Sequence, residues 1–197
     1  MTFANKITLF RIISIPFFIA SLVFYAPEKE YLKYIALSIF LLAIVSDVLD
    51  GYIARTQRQK TRAGAILDPL ADKALLSAAF IFLYQISRTY FVIALPLWVL
   101  LTFISRDAII LIGSGIILAT RQEIDIKPTW WGKLTTFFQM MTVVTLMLEI
   151  RIAPVIWWTA ALFTVISGVD YARLGINIIN SFDHNHPHDK TNPRPRP

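Results

Sequence analysis

The segment SDVLDGYIARTQRQKTRAGAILDPLADK, Ser46 to Lys73, places four carboxylates in or beside runs of Ile, Leu, Val, Ala and Phe: Asp47, Asp50, Asp68 and Asp72. A carboxylate among apolar residues is costly unless something compensates its charge. Asp47 and Asp50 are three residues apart and Asp68 and Asp72 four apart, so each pair shares one face of a helix. Four acids brought together repel, and a low dielectric disfavours each of them further. An all-oxygen cluster of this kind suits hard divalent cations such as Mg²⁺, Mn²⁺ or Ca²⁺. The chain has no cysteine and no histidine near the cluster, which argues against zinc. The competing reading pairs the acids with Arg55, Arg58 or Lys73 as helix-end salt bridges. It suits one aspartate better than four on matching faces. Gly51, Ala54 and Gly64 leave space between the acids, either for close helix packing or for a bulky ligand.

The elements that must position these acids are helices in a membrane. The chain is 56% hydrophobic and only 16% charged over 197 residues, whereas a soluble domain carries roughly 25% charged residues. A bilayer core needs roughly 20 apolar residues per helix. Six such spans are expected, about Ile7–Phe24, Tyr31–Ala54, Ala65–Ile86, Phe91–Ala119, Leu134–Leu148 and Ala153–Ile179. Strands are excluded by the length of the runs and by the cost of open sheet edges in lipid. Pro69 predicts that the third helix starts near Asp68 or kinks there. Asp47 lies sixteen residues past Tyr31, about 24 Å along a helix, and the third helix returns from the same side, so all four acids reach one depth.

The loop after the second span holds Arg55, Arg58, Lys60 and Arg62 without an acid, which marks it as cytoplasmic. With six spans both termini share that side. The net charge of +6 is explained by such loops, and no nucleic-acid partner is expected. A single catalytic domain over residues 1–181 is followed by a Pro-rich, polar tail, 182–197, expected to be disordered and cytoplasmic. Its three histidines read better as part of a solvated tail than as a metal site. The opening apolar run lacks a small-residue cleavage site, so no signal peptide is expected.

The full pattern, Asp47-x₂-Asp50-Gly51-x₂-Ala54-Arg55-x₈-Gly64-x₃-Asp68-x₃-Asp72, resembles the signature of the CDP-alcohol phosphatidyltransferase superfamily, with all eight positions filled. Six spans and a short N-terminal segment resemble it too. The resemblance implies an all-α integral membrane enzyme of the cell inner membrane. Its work would be phospholipid biosynthesis at the cytoplasmic face: an acceptor hydroxyl attacks the lipid-side phosphorus of CDP-diacylglycerol and CMP leaves. It implies that Asp47, Asp50 and Asp68, helped by Asp72, hold two divalent ions, Mg²⁺ or Mn²⁺. Asp72 matches the general base. Gly51, Ala54 and Gly64 would line the nucleotide pocket, Arg55 would meet the pyrophosphate or steady a carboxylate, and a homodimer is expected. These roles agree with the need for cationic charge on a phosphoryl transition state.

The acceptor must be read elsewhere. Counted from Phe91, Arg106 sits fifteen residues into the fourth helix, about 22 Å along it and level with Asp47. An arginine at that depth must face protein, water or an anion; the plainer alternative pairs it with Asp107 or Asp170. With Lys133, in KPTWWGKLTT, it would form a cationic pocket for a phosphorylated acceptor. That pocket resembles the glycerol-3-phosphate site of phosphatidylglycerophosphate synthases, as does the opening NKITLFRIISIPFFI, where Asn5, Thr8 and Arg11 would lie near the nucleotide. Those enzymes usually carry Arg-Glu where this chain has Arg106-Asp107. SRDAIILIG with KPTxxGKxTT is also similar to cardiolipin synthases, whose acceptor is phosphatidylglycerol. Glycerol-3-phosphate leads. Inositol-type acceptors rank lower, and choline or ethanolamine lower still. An ion or proton transporter is the rival class, but acids gathered at one depth do not mark a path across a membrane.

Overall fold

The computed structural model describes residues 3–57, 62–119 and 130–185, with side chains placed over 9–47, 70–113, 130–171 and 173. Every regular element among them is helical: α1 (Phe3–Val23), α2 (Glu30–Gln57), α3 (Arg62–Tyr90), α4 (Leu97–Ala119), α5 (Trp130–Met147) and α6 (Ala153–Asn185), with a 3₁₀ turn at Pro27–Lys29. α1 packs along α2 and α3, α5 along α6, and α4 against α6 and α3.

Each helix buries one apolar stripe and turns another outward. Phe18, Phe40, Leu76, Leu83, Phe103 and Leu146 are almost fully enclosed. Phe17, Leu42, Ile81, Ile109, Phe137 and Leu162, one from each helix, are exposed well away from the helix ends. A water-soluble bundle puts polar residues there; an apolar belt around a bundle marks a membrane protein. Within α3 and α6, Leu70–Tyr90 and Ala153–Tyr171 are long and apolar enough to cross a bilayer.

Three hairpin turns meet at one end of the bundle. Tyr25, after α1, packs edge-on to Tyr90 and Phe91, at the end of α3, with ring centroids 5.7 and 5.9 Å away. Lys33, buried near the start of α2, donates to Glu149, in the α5–α6 turn, at 2.8 Å. Its ammonium also lies 5.6 Å from the Phe91 ring centre. Glu149 ends α5 with φ 52°, the left-handed cap usually given to glycine. The amides of Glu149 and Ile150 reach back to the carbonyls of Leu146 and Thr145. With the turns gathered here, the starts of α1, α3 and α5 and the ends of α2, α4 and α6 all lie at the other end. That is where the acids are.

Three boundaries differ most from the sequence expectation. α3 begins at Arg62 and runs through Pro69; the missing amide costs one backbone bond but does not end the helix. α4 begins at Leu97, six residues after Phe91, because proline disfavours helical backbone in the residue before it and Pro96 carbonyl opens the helix. The Leu95 amide bonds Ser87 Oγ instead, at 3.0 Å. α6 continues to Asn185, past the expected tail start at Phe182. The histidines His186 and His188 lie outside the described residues.

Candidate active site

Arg11 enters from α1, two turns from the first described residue. It is 2% exposed, and its Nη2 donates to Asp47 Oδ1 on α2. Its Nε and Nη1 are enclosed and have no partner among the described residues. Arg11 also lines a cavity of about 10 Å³ with Asp72, Phe40, Ala43, Leu76 and Met140, the size that holds roughly one water molecule. The structure thus brings the first and last signature aspartates, from two helices, to one buried arginine: Asp47 by a direct bond, Asp72 by a shared cavity wall. Asp72 sits in the fields of Lys73, Asp47, Arg11 and Asp107.

A second charged group lies beside the first. Lys73, next to Asp72 in the chain, donates to Asp107 Oδ1 on α4 at 3.0 Å, and Arg106 Nη1 donates to the same oxygen at 2.7 Å. Two cations on one carboxylate leave a net charge of +1 in a buried place. Arg106 Nη2 donates to Ser167 Oγ on α6 at 2.9 Å, its guanidinium lies 5.7 Å from the Tyr171 ring centre, and its Nε has no partner among the described residues. Arg106 lines a cavity of about 170 Å³ between α4 and α6 with Thr102, Ser105, Ile109, Thr164, Gly168 and Tyr171.

These positions sharpen the sequence reading. Of the two partners weighed for Arg106, Asp107 is the one it takes. Among the described residues Lys73 bridges to Asp107. Arg106 is only nine residues past the start of α4, about 14 Å by helical rise, so the count from Phe91 fails. Its level with Asp72 rests on the Lys73–Asp107 bridge. Lys133 is exposed, with its ammonium 5.9 Å from the Trp130 ring centre, and the described contacts of Arg106 and Lys133 share no residue. Asp50, Gly51, Ala54, Arg55, Gly64 and Asp68 fall within α2 and α3, and Asn5 and Thr8 within α1, but their side chains lie outside the described residues. Arg58 lies outside them altogether. Arg11 was the residue sequence reasoning underweighted. It is a lone arginine in an apolar helix, the same signal that singled out Arg106.

With this geometry in place, the chain can be compared with known proteins. The family model of CDP-alcohol phosphatidyltransferases matches residues 1–166. The chain belongs to the CDP-alcohol phosphatidyltransferase family. It is 36% identical over 174 residues to the CDP-diacylglycerol–glycerol-3-phosphate 3-phosphatidyltransferase of Haemophilus influenzae, a match covering 85% of this chain and 90% of the relative. The relative of the same name in Bacillus subtilis is 36% identical over 186 residues, covering 85% and 91%. That of Escherichia coli K12 is 36% identical over 151 residues, covering 77% of each. As a CDP-alcohol phosphatidyltransferase, the protein is a transferase, and its signature is the segment that α2 and α3 carry past Arg11.

The donor set can be tested for a divalent ion. Among the described residues no three acids or histidines group as ligands; of the two described signature carboxylates, Asp47 bonds Arg11 and Asp72 lines the cavity beside it. Asp50 is one helical turn from Asp47 and Asp68 one turn from Asp72 along α2 and α3. All four are hard oxygen donors, so in chemistry the set fits Mg²⁺ or Mn²⁺.

Proposed function

We propose that this protein transfers a phosphatidyl group from CDP-diacylglycerol to the hydroxyl of glycerol-3-phosphate, releasing CMP and phosphatidylglycerophosphate. The observation that carries the reading is that Asp47 and Asp72 meet at one buried arginine, Asp47 accepting from Arg11 and Asp72 lining the cavity beside it, within the complete family signature. The choice of acceptor is carried over from the relatives, which are named for glycerol-3-phosphate. It is supported by the net positive group Lys73–Asp107–Arg106, one residue along the chain from Asp72.

Asp47, Asp50, Asp68 and Asp72 would hold two divalent ions, Mg²⁺ or Mn²⁺. When bound, these supply charge that offsets the pyrophosphate and the transition-state oxygens. Asp72 accepts the proton of the acceptor hydroxyl as that oxygen attacks the lipid-side phosphorus and the bond to CMP breaks. Gly51, Ala54 and Gly64 leave room for the nucleotide, and Arg55, Asn5 and Thr8 contact it. Arg106 holds the acceptor phosphate, with Lys133 at the mouth. All six helices span the inner membrane, the acidic end and both termini face the cytoplasm, and the segment after the bundle is a solvated tail.

A second reading has its own observation. The Arg106 cavity is bordered by Ile109 and Val165, both exposed on the apolar exterior of α4 and α6. A lipid acceptor such as phosphatidylglycerol, as in cardiolipin synthases, would reach Arg106 by that side. Purified protein should be given CDP-diacylglycerol with glycerol-3-phosphate or phosphatidylglycerol in separate reactions, and the product lipid identified. Phosphatidylglycerophosphate supports the first reading, cardiolipin the second. Neither product, with active protein of a known relative as control, contradicts both.

A further inference from the structure

A buried guanidinium has five N–H donors to satisfy. Among the described residues Arg11 satisfies few of them: Nη2 bonds Asp47, while Nε and Nη1 are enclosed without a partner. A residue kept for packing would be cheaper as leucine or methionine, and one kept for hydrogen bonding would use its whole fork. What Arg11 does supply is a positive charge between α1, α2 and α3. It touches Asp47 directly and shares a cavity wall with Asp72. Asp50 and Asp68 lie one turn further along the same two helices. Four carboxylates gathered without cations would push these helices apart or take up protons. A fixed internal cation opposes both.

We propose that Arg11 is the built-in counter-ion of the aspartate cluster, a positioning residue that holds Asp47 in place and keeps α2 and α3 together before divalent cations bind. The inference rests on the divalent-cation reading above. It predicts that arginine and metal partly substitute for one another. Removing Arg11 should therefore harm the metal-free protein more than the metal-loaded one.

The test is thermal unfolding of the full chain in detergent, in EDTA and in saturating MnCl₂, for wild type, Arg11→Met, Arg11→Lys, Asp47→Asn and the Arg11→Met/Asp47→Asn double variant. Arg11→Met should unfold on the order of 5–10 °C lower than wild type in EDTA. The deficit should shrink in MnCl₂, so that the Mn²⁺-induced rise exceeds that of wild type. Arg11→Lys, which keeps the charge, should stay close to wild type. Asp47→Asn should recover part of the EDTA deficit in the double variant, since it removes the charge that Arg11 faces. An Arg11→Met deficit equal in EDTA and MnCl₂ would overturn the proposal. So would an Arg11→Lys deficit as large as that of Arg11→Met. If Arg11→Met alone does not fold, the double variant decides: restored folding supports the counter-ion, and continued misfolding refutes it. Absence of any Mn²⁺ response in wild type contradicts the cation reading instead, and leaves the EDTA comparison of single and double variants to judge Arg11.

Discussion

Lys73 on α3 and Asp107 on α4 meet at 3.0 Å, and Asp107 also takes Arg106 at 2.7 Å. This bridge joins the end of the family signature to the charged turn of α4. Asp72 precedes Lys73 in the chain, so the proposed base and the proposed acceptor cation are fixed at the same level of the bundle by one shared carboxylate. An exposed pair would contribute little. Here all three side chains are largely enclosed, and removing one partner leaves charge buried without compensation.

The two acceptor cations should therefore behave differently. Arg106→Ala is expected to raise the KM for glycerol-3-phosphate by about 10- to 100-fold, the loss of a charge-assisted contact, and to lower the unfolding temperature. Lys133 is exposed over Trp130, so Lys133→Ala should change that KM by roughly threefold or less and leave stability unchanged. In both variants the KM for CDP-diacylglycerol should move less than that for the acceptor. Steady-state kinetics with each substrate varied in turn reads this. An equal loss for both substrates in Arg106→Ala contradicts the assignment.

Gly168 tests the cavity between α4 and α6. A Cβ there would sit 4.0 Å from Arg106 Cγ, an ordinary contact, so Gly168→Ala should be tolerated. Gly168→Leu fills the cavity and crowds Arg106. It is expected to reduce turnover at least 10-fold at low acceptor concentration while unfolding stays within a few degrees of wild type, in line with a modest overpacking cost of about 1–3 kcal/mol. Unchanged kinetics in Gly168→Leu would remove this cavity from the acceptor's path.

At the far end, Lys33 and Glu149 join turns 116 positions apart in the chain. Glu149→Gln should lower the unfolding temperature by about 2–8 °C, corresponding to roughly 1–2 kcal/mol for a partly exposed pair, without altering kcat or KM. Glu149→Gly relieves the left-handed backbone and should fall between wild type and Glu149→Gln. If either variant changes KM, the two ends of the bundle are coupled in a way this arrangement does not explain.

The sequence and the structure agree where the signal is local. Six apolar runs became six helices, of which α3 and α6 hold described stretches long and apolar enough to cross a bilayer, and aspartates spaced by three and four fell on α2 and α3. Where the signal is not local, reading failed or was silent. Phe91–Leu95 is apolar enough to pass as helix, but Pro96 governs its backbone, and α4 starts late. Pro69 predicts a helix start or a kink near Asp68; α3 starts earlier, at Arg62, and runs through it, because a bundle can re-satisfy one backbone carbonyl. Lys33 bonds its chain neighbour Glu30 at 3.3 Å but holds the distant Glu149 more closely, at 2.8 Å. Arg11 needed the third dimension, because nothing in the spacing of residues ties position 11 to position 47.

The most direct test is CMP release from CDP-diacylglycerol by the purified protein with glycerol-3-phosphate, in Mn²⁺ or Mg²⁺ and again in EDTA, for wild type and Asp72→Asn. The expected result is release that needs both the cation and the acceptor, and that falls about 10²- to 10⁴-fold in Asp72→Asn, the usual range for loss of a general base. Release that continues in EDTA, or an Asp72→Asn variant as fast as wild type, would contradict the account.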